Sequence, residues 1–194
     1  MKSYIVLGLV CVALFLNKSY AGVAIPDCED FKDDDRISLA CNIYWEARNQ
    51  TTEGMIAVAT VTLNRVKDSR FPNAISDVIW QHKQFSWTID GKSDKPFKNE
   101  QLIWNKAWAI SGMFALLNTQ KHKLCNSNKN ITDSITCQKV DDYYSHITNN
   151  ILPSMDNTQG SVMYHADYSN PSWSKSKKLS LSKRIGNHIF YVYK

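Results

Sequence analysis

One glutamate stands alone among apolar residues. From Ile37 to Ala47 the only charged residue is Glu46, and its neighbours include Tyr44 and Trp45. Burial disfavours the charged form of a carboxyl group, and the negative end of a helix dipole raises its pKa in the same direction. A carboxylic acid that stays protonated near neutral pH can donate a proton to a leaving group. Glu46 is therefore a candidate general acid.

The same residue types also allow a structural interpretation of Glu46. A glutamate at the end of a helix can face solvent and pair with a cation, and Arg48 and Arg65 are the candidate cations. Such pairs are common on protein surfaces and carry no chemistry. The choice between an acid catalyst and a surface ion pair is open at this point.

The helix that would carry Glu46 is predicted over residues 37–47. The acidic run Asp33-Asp34-Asp35 supplies side chains that favour a helix start. Apolar residues lie on nearly every side of this helix, and a helix of that kind is buried. A second helix is predicted over residues 53–66, although its valines and threonines would also suit a strand.

The remaining elements indicate a mainly helical α+β domain with a small antiparallel sheet. Apolar spacing predicts three further helical segments, and short runs of β-favouring residues predict three strands. The helical segments cover residues 76–80, 100–117 and 140–152, and the strands cover residues 84–89, 161–165 and 189–193.

Length and composition indicate one globular domain. The chain has 194 residues, of which 43% are hydrophobic and 21% charged, so disorder is excluded as its main state. Its formal net charge is +5, and it lacks the strongly basic stripe of a nucleic-acid-binding protein. No nucleic-acid partner is predicted.

Residues 1–21 have the pattern of a secretory signal peptide. Lys2 gives a positive start, residues 4–16 form an apolar run, and Ser19 and Ala21 are the small residues before a cleavage site. The run is shorter than the ~20 residues of a membrane-spanning helix. We predict cleavage after Ala21 and no stable membrane insertion, with a secreted or periplasmic, monomeric domain over residues 22–194. An uncleaved membrane anchor is the alternative.

Four cysteines remain after such a cleavage. In an oxidising compartment an even number of cysteines suggests disulfides, and four cysteines allow three pairings. We favour a Cys125–Cys137 bridge, which would close the polar stretch of residues 121–137, and this leaves Cys28 to pair with Cys41. No two cysteines form a CxxC pair and the histidines are not clustered, so no metal and no cofactor are predicted.

Short motifs follow one another in a specific order along most of the chain. They include Tyr44-Trp45-Glu46-Ala47-Arg48, Leu63-Asn64-Arg65-Val66, Tyr164-His165-Ala166 and Gly186-Asn187-His188-Ile189. Over residues 39–193 the ordered motifs resemble those of the cell wall hydrolase family typified by the spore cortex-lytic enzymes of the SleB type. Each motif is weak alone, and the ordered set is specific.

This resemblance implies a fold, an activity and a substrate. Family members are similar to lysozyme-like lytic transglycosylases, which cut the β-1,4 bond between N-acetylmuramic acid and N-acetylglucosamine and leave a 1,6-anhydromuramic end. The family's acid and base is the glutamate of the Tyr-x-Glu-Ala-Arg motif, which is Glu46 here. The implied partner is the glycan strand of peptidoglycan. A hydrolase would need a second carboxylate, for which Glu53 and Asp77 are candidates.

Residues that bind the substrate are implied next to the catalytic helix. On a strand beside the cleft, Gln84 and Ser86 would donate hydrogen bonds to acetamido carbonyl groups, and Trp87 would offer a stacking face. The sheet would line this cleft. Ordinary core packing is the alternative for Trp87 and for Phe85 beside it.

Three more binding candidates lie on the terminal strands. Tyr164 and His165 are on one predicted strand and His188 is next to the other, and we expect the two strands to face each other. A lone histidine is usually structural. The occurrence of both histidines in matched motifs favours a role in the cleft for at least one of them.

Two features depart from the family pattern, and one rival interpretation stays open. Trp45 stands where an aromatic residue is less usual, and the stretch of residues 121–137 has no counterpart that we can place. Only residues 22–36 precede the catalytic helix, so we expect no separate wall-binding domain.

A non-enzymatic glycan-binding domain is the rival interpretation. It would keep the aromatic residues but would have no use for a buried acid.

Overall fold

The computed structural model describes residues 22–118 and 155–194. In these two ranges the chain forms several helices and a small antiparallel sheet, which confirms the predicted α+β class. None of the helices in these ranges has the length and apolar character of a membrane-spanning segment. The helices are α1 (Asp35–Ala47), α2 (Thr52–Lys67), α3 (Ile75–Trp80) and α4 (Gln101–Asn118), and the strands are β1 (Met163–Ala166), β2 (Leu179–Ile185) and β3 (His188–Tyr193).

Helix α1 begins where its sequence predicts and is buried on most sides. The Asp34 side chain accepts a hydrogen bond from the backbone N–H of Ile37 at 2.8 Å and so caps the first turn. Most of the residues from position 38 to position 44 are fully buried. The helix ends at Ala47, which places Glu46 in its last turn.

Helix α2 forms although its valines and threonines would also suit a strand. Thr51 caps it by accepting a hydrogen bond from the Gly54 N–H at 3.3 Å. The hydroxyl groups of Thr60 and Thr62 donate to backbone carbonyl oxygens one turn earlier, at 2.9 and 3.2 Å, so these polar groups are satisfied inside the helix. Residues of α1, α2 and α4 then share one hydrophobic core.

A disulfide joins Cys28 to Cys41, as predicted. It links the 3-10 turn Cys28–Phe31 to the middle of α1, and both cysteines are fully buried. The predicted Cys125–Cys137 bridge, the polar stretch 121–137, the helix over 140–152 and the signal peptide over 1–21 lie outside the described residues.

The sheet has the strand order β1-β3-β2, and both strand pairs are antiparallel. Tyr164 pairs with Phe190, and Ala166 pairs with His188. The strands predicted over residues 161–165 and 189–193 are thus neighbours in the sheet. This pairing brings the end of the chain back to the helices, where Phe190 packs with residues of α2.

Strand β2 is absent from the elements predicted by the sequence. Its first half alternates leucine and serine from Leu179 to Ser182, and a turn at Gly186, with φ at 54°, connects it to β3. Alternation followed by a glycine turn is a hairpin signal that would have identified this strand. A register shift between Leu181 and Lys183 interrupts the pattern in its second half.

The strand predicted over residues 84–89 is wrong. Ser86–Thr88 forms a 3-10 helix instead. Phe85 and Trp87 are buried on either side of an exposed residue, so burial alternates as it would in a strand. The backbone curls because the Thr88 hydroxyl donates to the Phe85 carbonyl oxygen at 2.9 Å, while the Trp87 indole N–H donates to Asn42 Oδ1 at 3.1 Å.

Candidate active site

Glu46 and Tyr164 meet although 118 positions separate them along the chain. The Tyr164 hydroxyl donates a hydrogen bond to Glu46 Oε2 at 2.9 Å, which holds strand β1 against the last turn of α1. Glu46 is only half-buried. The tyrosine therefore orients a carboxyl group that a ligand can still reach.

Burial raises the pKa of the Glu46 carboxyl group above its ordinary value. The hydrogen bond from Tyr164 and the positive charge of Arg65 act on this pKa in the opposite direction, but they do not cancel the effect of burial. A raised pKa keeps more of the carboxyl group protonated at a given pH, as a general acid requires.

Neither cation proposed as an ion-pair partner forms a salt bridge with Glu46. The salt bridges between described residues all involve other side chains. The Arg48 guanidinium lies over the Trp45 ring, 5.0 Å from its centroid. Arg65 is 4% exposed, and its Nε donates to the Val162 carbonyl oxygen at 2.7 Å. The structure therefore does not support the surface ion-pair interpretation.

Tyr164 and His188 lie on the face of the sheet that is turned towards Glu46. Side chains alternate along a strand, and the register places Phe190 on this same face. The ring centroid of Tyr164 is 5.1 Å from that of His188 and 5.6 Å from that of Phe190. Burial lowers the pKa of His188, so its imidazole is mainly neutral at neutral pH.

His165 lies on the opposite face of the sheet. Its Nε2 is 3.0 Å from the Tyr191 hydroxyl oxygen, and the two rings are stacked with centroids 5.4 Å apart. The Trp173 ring meets the His165 ring edge-on at 5.5 Å. The two terminal strands do pair, but alternation along β1 directs His165 away from Glu46.

The segment that contains Gln84, Ser86 and Trp87 is only partly open to a ligand. Trp87 is 6% exposed, and its ring packs against that of Trp80 with centroids 5.2 Å apart. This side chain therefore belongs to the core. Ser86 is exposed and Gln84 is partly exposed. Between them, the Phe85 ring is 5.2 Å from the Arg65 guanidinium, so the segment borders the site.

No carboxylate within residues 22–118 and 155–194 is among the groups that shift the pKa of Glu46. The groups that act on its pKa are Tyr164 and Arg65, and neither is a carboxylate. Glu53 and Asp77 are both exposed and do not affect it. These ranges also hold no group of three His, Cys, Asp or Glu residues that could bind a metal ion.

Arg65 is the residue of this site whose place the sequence did not predict. It is the only charged residue between Gly54 and Val66, in a helix that is otherwise mostly apolar. This is the same signal that identified Glu46 in α1. From the sequence, Arg65 is considered only as an ion-pair partner.

Tyr164→Phe is expected to extend activity to higher pH. It should also lower the maximal rate, because the hydrogen bond that orients Glu46 is lost. The substitution removes a hydrogen bond that stabilises ionised Glu46, so the pKa of Glu46 rises further. The protonated acid then persists to higher pH, and the alkaline limb of the kcat/KM profile moves upward. Rates on soluble glycan fragments, measured across pH, would show the shift.

Tyr191→Phe is the matched control for that experiment. It removes a hydroxyl group from the opposite face of the sheet, where the partner is His165. Its pH profile should match that of the wild type. An alkaline limb that does not move in Tyr164→Phe would show that this hydrogen bond has no influence on Glu46.

The protein is thus a mainly helical α+β domain in which a tyrosine hydroxyl orients one partly buried glutamate. The chain belongs to the Cell Wall Hydrolase family, whose profile matches residues 49–191. The matched range begins just after Glu46. The assignment of this glutamate therefore depends on the geometry above and on the motif that contains it.

Individual proteins are similar to parts of the chain. The spore cortex-lytic enzyme of Bacillus subtilis (strain 168) is 39% identical over 62 residues, which are 32% of this chain and 20% of that protein. The chain thus spans about a fifth of this curated relative. Two solved structures at 23% identity cover 80% of the chain: the catalytic domain of Bacillus cereus SleB (88% of that chain, TM-score 0.47) and that of the Bacillus anthracis germination-specific lytic transglycosylase SleB (92%, TM-score 0.49).

Proposed function

We propose that this protein cleaves the glycan strands of peptidoglycan as a lytic transglycosylase, with Glu46 as acid and base. The observation that carries the proposal is the hydrogen bond from Tyr164 to a half-buried Glu46 whose pKa is raised by burial. Membership of the Cell Wall Hydrolase family supports the substrate class. The similarity to a spore cortex-lytic enzyme of Bacillus subtilis agrees with a lytic activity.

The reaction uses the two protonation states of Glu46 in turn. Protonated Glu46 donates its proton to the glycosidic oxygen, and the bond from this oxygen to C1 of N-acetylmuramic acid breaks. The resulting carboxylate then accepts the proton of the 6-hydroxyl group of the same sugar, whose oxygen bonds to C1. Glu46 ends protonated as it began, and no water is consumed.

A single acid suits this route better than hydrolysis. Hydrolytic glycosidases use a second carboxylate as base or nucleophile within about 5–10 Å of the first. Among the described residues, no carboxylate shifts the pKa of Glu46. This supports assigning the second step to the carboxylate of Glu46 itself.

Binding of the sugars is assigned to residues around Glu46. The exposed Ser86 and the partly exposed Gln84 border the site, and the buried His188 supports Tyr164 from the same face of the sheet. Trp87 does not belong to this binding set because it is in the core, and His165 does not because it lies on the far face of the sheet. We place the enzyme outside the cytoplasm as a monomer, in keeping with the signal peptide pattern of residues 1–21.

Mass spectrometry of the soluble products from purified sacculi tests this function. We expect muropeptides with 1,6-anhydro ends, each lighter by one water molecule than the hydrolysed product. Glu53→Gln and Asp77→Asn should release the same products at the wild-type rate, because both carboxylates are exposed and uncoupled from Glu46.

Other products would contradict the proposal in separate ways. Reducing ends alone would show hydrolysis. If Glu53 or Asp77 is then the second carboxylate, the variant of that residue should be inactive. Binding to sacculi with no release of fragments would favour the non-enzymatic glycan-binding domain.

A further inference from the structure

The Arg65 side chain extends from α2 and contacts Val162, just before β1, and Met163, the first residue of β1. Its Nε donates to the Val162 carbonyl oxygen at 2.7 Å, and its Nη2 is 3.8 Å from Met163 Sδ. The guanidinium also lies between two aromatic rings, 5.4 Å from the centroid of Phe71 and 5.2 Å from that of Phe85. A buried arginine is thereby fixed on several sides.

These contacts immediately precede Tyr164 in the chain. The neighbouring Asn64 adds a second anchor, because its Nδ2 donates to the Ser161 carbonyl oxygen at 3.0 Å. Consecutive residues of α2 therefore hold the two consecutive carbonyl groups just before β1. The position of the Tyr164 hydroxyl, and with it the hydrogen bond to Glu46, depends on this attachment.

The charge of Arg65 has little local compensation. Its side chain is 4% exposed, and Nη1 has no hydrogen-bond partner in the described part of the chain. A buried donor without a partner costs about 1–3 kcal/mol, and more when it is charged. The acidic groups that interact with its charge are the Tyr164 and Tyr193 hydroxyl groups and the Glu46 carboxyl group. Of these only Glu46 is a carboxyl group, and the two residues form no salt bridge. A structural anchor alone would not need a charge, since Asn64 anchors the same strand without one.

We propose that Arg65 is a positioning residue for Glu46: it fixes β1 so that Tyr164 reaches the carboxyl group, and its charge stabilises the carboxylate that forms after proton donation. This inference rests on the proposed function, because it gives the charge a role in the second step. In that step ionised Glu46 must persist long enough to accept the proton of the 6-hydroxyl group.

Two substitutions separate the contacts from the charge. Arg65→Lys keeps a positive charge and loses the planar guanidinium that reaches both Val162 and Met163. We expect kcat to fall by about 10- to 100-fold with KM nearly unchanged, because the catalytic groups are displaced. Weakening of the Tyr164 hydrogen bond should raise the pKa of Glu46 slightly. Arg65→Met removes the charge as well, so the pKa of Glu46 should rise above its value in Arg65→Lys, and the alkaline limb of kcat/KM should move to higher pH.

Asn64→Ala is the matched control, because it weakens the same strand attachment without changing any charge. Because it removes no charge, its effect on the Glu46 titration should be smaller than that of Arg65→Met. The titration is followed directly by carbon NMR of labelled glutamate side chains, with Glu46→Gln identifying the signal. Circular dichroism establishes which variants are folded.

The outcomes separate this inference from the proposed function. A Glu46 titration that is unchanged in folded Arg65→Met overturns the inference, and so does a wild-type kcat in Arg65→Lys, which decides the matter if Arg65→Met does not fold. A wild-type protein that releases no muropeptides overturns the proposed function, while the NMR titration still tests the link between Arg65 and Glu46.

Discussion

Glu46→Gln is expected to fold like the wild type and to lose about 10²–10⁴-fold in activity on purified sacculi. The amide has nearly the same shape and can still accept the hydrogen bond from Tyr164, but it has no proton to donate to the glycosidic oxygen. Because Glu46 serves both steps of the proposed reaction, both steps fail and the loss should lie at or above the upper end of this range. The decrease in turbidity of sacculi suspensions measures the rate.

Glu53→Gln is the matched control for this variant. Glu53 carries the same side chain near the start of the next helix, and it is exposed. Its variant should clear sacculi at the wild-type rate. If Glu46→Gln kept more than roughly a tenth of the activity, the proton would have to come from another group.

The Cys28→Ala/Cys41→Ala variant is expected to lose about 3 kcal/mol of unfolding free energy, as the chain-entropy model gives for a bridge closing a loop of this size. The two cysteines are 13 positions apart, and both are fully buried. Without the bridge, the segment between Cys28 and Cys41 regains conformational entropy in the unfolded chain. Urea unfolding, followed by tryptophan fluorescence, measures the change.

Reduction of the wild type provides the control for the disulfide variant. If Cys28–Cys41 is the bridge that matters, reductant should lower wild-type stability to the level of the variant and leave the variant unchanged. A further loss in the reduced variant would reveal a second stabilising bridge, as predicted for Cys125 and Cys137. Equal urea midpoints for the variant and the oxidised wild type would contradict the expected contribution.

Two isolated charges in apolar helices reveal much of the candidate site. Glu46 in α1 and Arg65 in α2 meet the same criterion, and both helices are predicted from apolar spacing and capping residues. The prediction treats Glu46 as an acid because a motif supports it. The contacts of Arg65 are not predictable in this way, because its partner Val162 lies 97 positions further along the chain. Helical periodicity describes one element and not the contacts between distant ones.

Strand residues show the complementary limit. Tyr164 and His165 are adjacent, and the sequence makes them equal candidates for the cleft. The pairing of β1 with β3 decides that Tyr164 faces Glu46 and that His165 stacks on Tyr191. The error at residues 84–89 has a related origin, because alternating burial also arises in a 3-10 turn whose aromatic side chains point inward.

The anchoring of β1 by α2 sets where the chain can change length. Adding one residue between Val162 and Tyr164 would turn the tyrosine to the far face and bring a neighbouring side chain to Glu46 instead, since a one-residue slip exchanges the two faces of a strand. Beyond β1 no such restriction applies to the exposed stretch of residues 175–178, which precedes β2. Insertions that leave catalysis intact, such as an affinity tag or a targeting peptide, therefore belong in that stretch and not before Tyr164.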